Sequence, residues 1–168
     1  MKLIIILFYI IFSYSFELKY NSFEAEFNQS VESDNKTIHY YGKVAVNSNL
    51  IFWHYLKPIE KKIWVTTDKI YIYEPDLEQV TIHSISKKDN FFKLLKESRK
   101  IDNNLYSKKI ENKTIFFKVD KKMIKKIYYK DKVDNLVTLN FFNIKKREFQ
   151  KKRFIPNYPE YVDKIYMK

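Results

Sequence analysis

The stretch from Ile63 to Ile82, "IWVTTDKIYIYEPDLEQVTI", decides how this chain folds. Glu74, Asp76 and Glu78 put carboxylates at alternate positions, a pattern open to acid/base chemistry or to a metal. The same residues also read as an aromatic strand that stops at a proline and comes straight back as "EQVTI". Pro75 fixes its own φ and pushes Glu74 into an extended conformation, and Pro followed by Asp is a turn start. Local chemistry favours the turn, with the carboxylates solvating a hairpin tip. A second break, Thr67 to Lys69, separates "KIWVTT" from "KIYIY".

The same pattern extends in both directions. "IHYYGKVAV" (Ile38 to Val46) and "LIFWHYL" (Leu50 to Leu56) precede it; "TIFFKV", "KKIYYK", "NLVTLNFF" and "FQKKRF" follow. β-Branched and aromatic residues dominate these runs, as they do on pleated, half-buried surfaces. Strands at spacings of about ten residues predict an antiparallel meander. One segment departs from it. "SISKKDNFFKLLKESRK" places Phe91, Phe92, Leu94 and Leu95 at helical spacing behind a capping box at Ser86 to Asp89, which predicts an amphipathic helix over residues 87–100. That helix is either a permanent cover over one end of the core or a movable one. No composition shift marks a domain boundary.

The opening "MKLIIILFYIIFSYS" has a charged start, an apolar middle from Leu3 to Phe12 and a small-residue exit at Ser13 and Ser15. This is the anatomy of a secretory signal peptide over residues 1–15, leaving 16–168 as one domain. There is no cysteine, so an exported fold must rest on packing, and thiolate zinc sites are excluded. The net charge is +12, but Arg99, Arg147 and Arg153 are the only arginines, and lysine serves as the general surface residue. The charge is therefore a weak pointer to nucleic acid. His39, His54 and His83 fall in separate strands, with no metal-ligand spacing. Gly42 is the sole glycine, which excludes phosphate-cradling loops and dinucleotide fingerprints. No metal, cofactor or catalytic residue is expected.

The aromatic content is the anomaly: aromatic residues make up 18% of the chain. Ile51-Phe52-Trp53, Ile115-Phe116-Phe117 and Phe141-Phe142 are apolar on both strand faces, whereas a simple sandwich buries one. Two explanations stand on composition alone: a curved sheet enclosing a hollow, and thick aromatic packing without one.

These runs resemble a known family. "NSFEAEFNQSV" (Asn21 to Val31), "GKVAVNSNLIFWHYLKP", "KKIWVTTDKIYIYEPDLEQVTI" and "FIPNYPEYVD" are similar to segments of LolA, the carrier of outer-membrane lipoproteins; the likeness spans Ser22 to Asp163. It implies a mainly β fold with one or two helices (α+β), an incomplete antiparallel β-barrel (half-barrel) with a helical lid over an apolar cavity. By that likeness Ile51, Trp53, Tyr55, Ile63, Val65, Tyr71, Tyr73, Ile115, Phe117, Val137, Leu139 and Phe141 are candidate walls for acyl chains, and Phe91, Phe92, Leu94 and Leu95 the candidate lid. Strand alternation does not say which face is concave. Family members often carry an arginine shortly before the strand tryptophan that locks the lid; Asn47 stands there, which predicts a looser lid. The segment before the Ser-Phe motif is also shorter than in many members.

The resemblance further implies a monomer in the periplasm, catalysing nothing. It would receive acylated lipoproteins from a LolCDE-type inner-membrane ABC transporter and pass them to a LolB-type acceptor or the outer membrane itself. The competing readings are another periplasmic lipid-binding protein or envelope sensor on the same half-barrel, a basic surface-binding module, and an enzyme using Glu74, Asp76 or Glu78.

Overall fold

The computed structural model describes residues 18–85 and 91–167. The signal peptide expected over residues 1–15 and the capping box at Ser86 to Asp89 lie outside them. Among the described residues eleven strands come as two meanders joined through a helix: β1 (Ser22–Ser33), β2 (Lys36–Asn47), β3 (Leu50–Lys57), β4 (Lys61–Val65), β5 (Lys69–Glu74) and β6 (Gln79–Ser84), then α1 (Phe91–Lys96), then β7 (Arg99–Asp102), β8 (Leu105–Ile110), β9 (Lys113–Asp120), β10 (Met123–Lys130) and β11 (Leu136–Lys146). β12 (Asp163–Met167) closes the order.

The turn reading of the opening stretch holds. Pro75–Leu77 form a 3-10 turn, Glu78 takes a left-handed φ of 48°, and Glu74 pairs with Gln79 beyond it. The three carboxylates do not converge: Glu74 is ion-paired with Lys61 at 2.9 Å, while Asp76 and Glu78 are exposed. Two expectations fail nearby. The helix expected to reach residue 100 ends at Lys96, because the backbone N–H and the hydroxyl of Ser98 both bond the Leu95 carbonyl (3.1 and 2.6 Å) and Arg99 enters β7. "FQKKRF" is no strand; Lys151–Phe154 make a 3-10 turn that drives Phe154 into the core.

Among the described residues the twelve strands form one open sheet, ordered β12-β6-β5-β4-β3-β2-β1-β11-β10-β9-β8-β7. Neighbours are antiparallel except β12, which runs parallel to β6. β1 thus sits mid-sheet, between β2 and β11. β6 lies beside one edge strand and β7 is the other edge, so the connection holding α1 carries the chain from one side of the sheet to the other.

Each face has its own core. On the first, Phe23, Phe27, Val44, Val46, Ile51, Phe117, Ile127 and Leu139 pack together, with Leu95 of α1 and Leu18 over them. On the second, Ala45, Phe52, Trp64, Tyr73, Val80 and Ile82 lie under Phe149, Phe154, Tyr158 and Val162 of the segment between β11 and β12. This double cover explains the strand runs apolar on both faces: Ile51 and Trp53 look one way, Phe52 the other. No helix among the described residues is long and apolar enough to cross a membrane.

Candidate functional site

Of the two clusters among the described residues, the first face carries the larger. Directly paired residues of neighbouring strands share a face. The register Phe141–Phe27–Gly42–Tyr55–Lys61 therefore runs across it from β11 to β4, and Lys61 reaches Glu74 of β5 through an ion pair. The row begins aromatic and ends charged, so the face has an apolar middle and a polar rim. In the middle Phe27 is fully buried and meets Trp53 and Tyr55 edge-on, at centroid distances of 5.0 and 4.9 Å, and Trp53 lies 5.9 Å from Phe141.

Nine of the expected wall residues meet in this cluster: Ile51, Trp53, Tyr55, Val65, Ile115, Phe117, Val137, Leu139 and Phe141. Ile63 shares their face through its pairing with Trp53. Tyr71 and Tyr73 do not belong with them. They pack in the second cluster, and the first face of β5 carries Ile70 and Ile72, paired with Val65 and Ile63. The cause is the two-residue turn Thr67-Asp68, closed by Thr66 N–H to the Lys69 carbonyl at 2.8 Å. An even-length turn pairs odd-numbered with even-numbered residues, so the inward set changes parity across it. Phe23, Phe27, Val44, Val46, Ile124 and Ile127 also line this face and were not singled out from sequence. The alternation of "SFEAEF" is the signal that could have found the first two.

Of the expected lid, Leu95 is 1% exposed inside the first cluster and Leu94 is half-buried; the side chains of Phe91 and Phe92 lie outside the described part. Lys108 Nζ and Glu97 Oε2, 2.9 Å apart, tie the end of this segment to β8. Asn47, the expected lid-lock position, pairs with Leu50, which packs in the second cluster. It therefore faces away from Leu95.

The described side chains fill the apolar middle tightly. The space between Phe23, Val46, Ile51, Trp53, Ile124 and Phe141 amounts to about 20 Å³, room for about one water. That space by itself is too small for an acyl chain. At the rim, by contrast, Gln29, Tyr40, Tyr55, Ile59, Lys61 and Glu74 border an open hollow of about 230 Å³. Tyr55 donates to Gln29 Oε1 at 2.8 Å, and its burial, with Tyr129 and Tyr40 nearby, pushes its pKa up and holds the hydroxyl protonated. Among the described residues no group of three His, Cys, Asp or Glu side chains could hold a metal.

This fold, an open antiparallel sheet with its apolar face crossed by a helical connection, has a solved counterpart. A LolA superfamily protein from Nitrosomonas europaea superposes with a TM-score of 0.56 at 15% identity, covering 84% of this chain and 93% of that one. Sequence comparison goes further. Residues 18–113 match the family of the outer membrane lipoprotein carrier protein LolA. The outer-membrane lipoprotein carrier protein of Campylobacter jejuni is 30% identical over 130 residues, 77% of each chain. That of Wolinella succinogenes is 35% identical over 125 residues, 73% of each. The chain belongs to the LolA family.

Proposed function

We propose that this protein is a periplasmic chaperone that holds the acyl chains of outer-membrane lipoproteins against the first face of its sheet, beneath α1. The observation that carries this reading is a wide apolar sheet face against which Leu95 of α1 is buried. Its walls are Ile51, Trp53, Tyr55, Ile63, Val65, Ile115, Phe117, Val137, Leu139 and Phe141, with Ile70 and Ile72 in place of Tyr71 and Tyr73. Leu94 and Leu95, with Phe91 and Phe92 beside them in α1, are the lid.

The energetics suit a carrier. Burying a methylene is worth about 0.8 kcal/mol, so a dozen-methylene chain stands to gain roughly 10 kcal/mol on leaving water. Part of that gain is spent parting a tightly packed face and displacing Leu95. Net affinity stays low enough for release, because a ligand shifts an equilibrium only by its differential affinity for the two states. No bond is made or broken. The half-barrel carries out this transfer as a monomer over residues 16–168, after loss of the leader. It takes cargo from a LolCDE-type transporter and delivers it to a LolB-type acceptor or to the outer membrane directly.

Purified mature protein, incubated with inner-membrane vesicles containing a native acylated lipoprotein and the transporter, should release that lipoprotein in soluble form as a one-to-one complex. Folded protein that leaves several native lipoproteins in the membrane would refute the proposal.

A further inference from the structure

The open hollow at the rim of the first face has a chemistry that the apolar middle lacks. Its spare donors are those of Gln29, Lys61 and Tyr40, set beside the Glu74 carboxylate, which only accepts. Tyr55 occupies Gln29 Oε1 at 2.8 Å, and no acceptor among the described residues bonds Gln29 Nε2, which leaves two amide hydrogens. Lys61 Nζ, 2.9 Å from Glu74 Oε1, has further hydrogens beyond that one partner. The Tyr40 ring lies 6.0 Å from that of Tyr55, across the same hollow. Lys61 pairs directly with Tyr55, and Tyr55 packs on Phe27, so these donors stand where the aromatic row ends.

An acylated cysteine has the complementary layout: two hydrocarbon chains, then ester carbonyls that only accept hydrogen bonds, then polypeptide. We infer that the hollow of about 230 Å³ bordered by Gln29, Tyr40, Tyr55 and Lys61 seats the ester carbonyls of the diacylglyceryl group, with Gln29 Nε2 and Lys61 Nζ as donors. Tyr55 is a positioning residue. Its bond to Oε1 orients the Gln29 amide, and Glu74 holds the Lys61 side chain at the rim. This inference rests on the carrier reading above and adds to it a polar reading of the linkage, separate from the reading of chain length. A tenfold preference corresponds to about 1.4 kcal/mol, within reach of one or two such hydrogen bonds.

The test titrates the intact mature protein with two synthetic lipopeptides of equal chain length: an S-dipalmitoylglyceryl-cysteinyl peptide and its dihexadecyl ether analogue, which lacks both carbonyls. Wild-type protein should bind the diester about tenfold more tightly. Gln29→Glu keeps an acceptor for the Tyr55 hydroxyl but replaces the donor nitrogen with oxygen; it should lower diester affinity about tenfold and leave diether affinity unchanged. Lys61→Met should act in the same direction, and circular dichroism checks that both variants fold. A dipalmitoyl phospholipid competes with the diester if the carbonyls alone are read, and fails to compete if the cysteinyl peptide is also required. Equal wild-type affinity for diester and diether, or an equal loss of both in Gln29→Glu, overturns this inference while leaving the carrier reading standing. Wild-type protein that binds neither lipopeptide overturns both.

Discussion

Phe27 fills the space that a side chain at Gly42 would need. The two residues are paired across β1 and β2, and a Cβ added at Gly42 would stand 2.6 Å from the Phe27 ring and against the His54 carbonyl. The sole glycine of the chain thus makes room for the fully buried ring of Phe27, which meets both Trp53 and Tyr55. Gly42→Ala forces the ring or β3 to shift. Overpacking of this kind costs about 1–3 kcal/mol, and urea unfolding should show it. Adding Phe27→Leu should recover part of the loss.

Face assignment can be tested apart from stability. Ile72 and Tyr71 are adjacent on β5 but belong to opposite faces. Ile72→Asp should abolish uptake of a fluorescent acylated peptide, because it puts a carboxylate beside Ile63. Tyr71→Ser should leave uptake within about twofold while lowering the melting temperature.

Leu95 is the described side chain of α1 that is fully buried. Leu95→Ala should cost about 2–5 kcal/mol if α1 unfolds with the rest, as for other large-to-small core changes. If α1 opens by itself, global stability changes little, amide exchange over residues 91–98 speeds up, and acyl-peptide affinity rises because less has to be displaced. The carrier reading expects the second result.

The β10–β11 turn carries an acid-sensitive element. Asp131 accepts the backbone N–H of Val133 at 2.9 Å and, from Asn135, both the backbone N–H and the side-chain amide at 3.0 Å. These bonds, led by that from Val133, hold its carboxyl below the usual aspartate range. A depressed pKa adds stability that is complete above the unfolded-state value, about 3.9, and fades as pH falls below it. Asp131→Ala should therefore lower the melting temperature at neutral pH and flatten its decline below pH 4.

Glycine scarcity leaves another mark. The β9–β10 turn places Lys121 and Lys122 at φ of 48° and 62°, the left-handed region that tight hairpins require and that costs a lysine roughly 1–2 kcal/mol. Lys122→Gly should stabilise the fold by about 0.5–1 kcal/mol, after the added entropy of the unfolded glycine, measured by urea unfolding.

Much of this architecture can be read from the residues, and its gaps have physical causes. The strands from Ile38 to Val80 are bounded by turn chemistry and β-branched runs, and they are found where those signals place them. The side chains that share the first face were legible on β3, β4, β9 and β11 because alternation is local. They were missed on β5 because register across a turn depends on whether its length is odd or even, and Tyr71 and Tyr73 looked as inward as Ile70 and Ile72. β7 and β8 were hidden by polarity: "RKID" is an exposed edge strand and "LYSKKI" the strand beside it. The cover on the second face depends on Phe154 and Val162 reaching Trp64 and Val80, a contact no local window encodes.

The central position of β1 has a consequence for how the molecule is made. Its seam with β11 joins the beginning of the described chain to its last fifth, and Arg147 reaches Glu24 across 123 residues. Loop-closure entropy grows only logarithmically with length, so this distance weighs little on the final balance and heavily on the rate. Until the seam zips, the two halves are separate meanders, each with a raw edge. The sheet therefore cannot be completed until residue 136 and those after it have been synthesised.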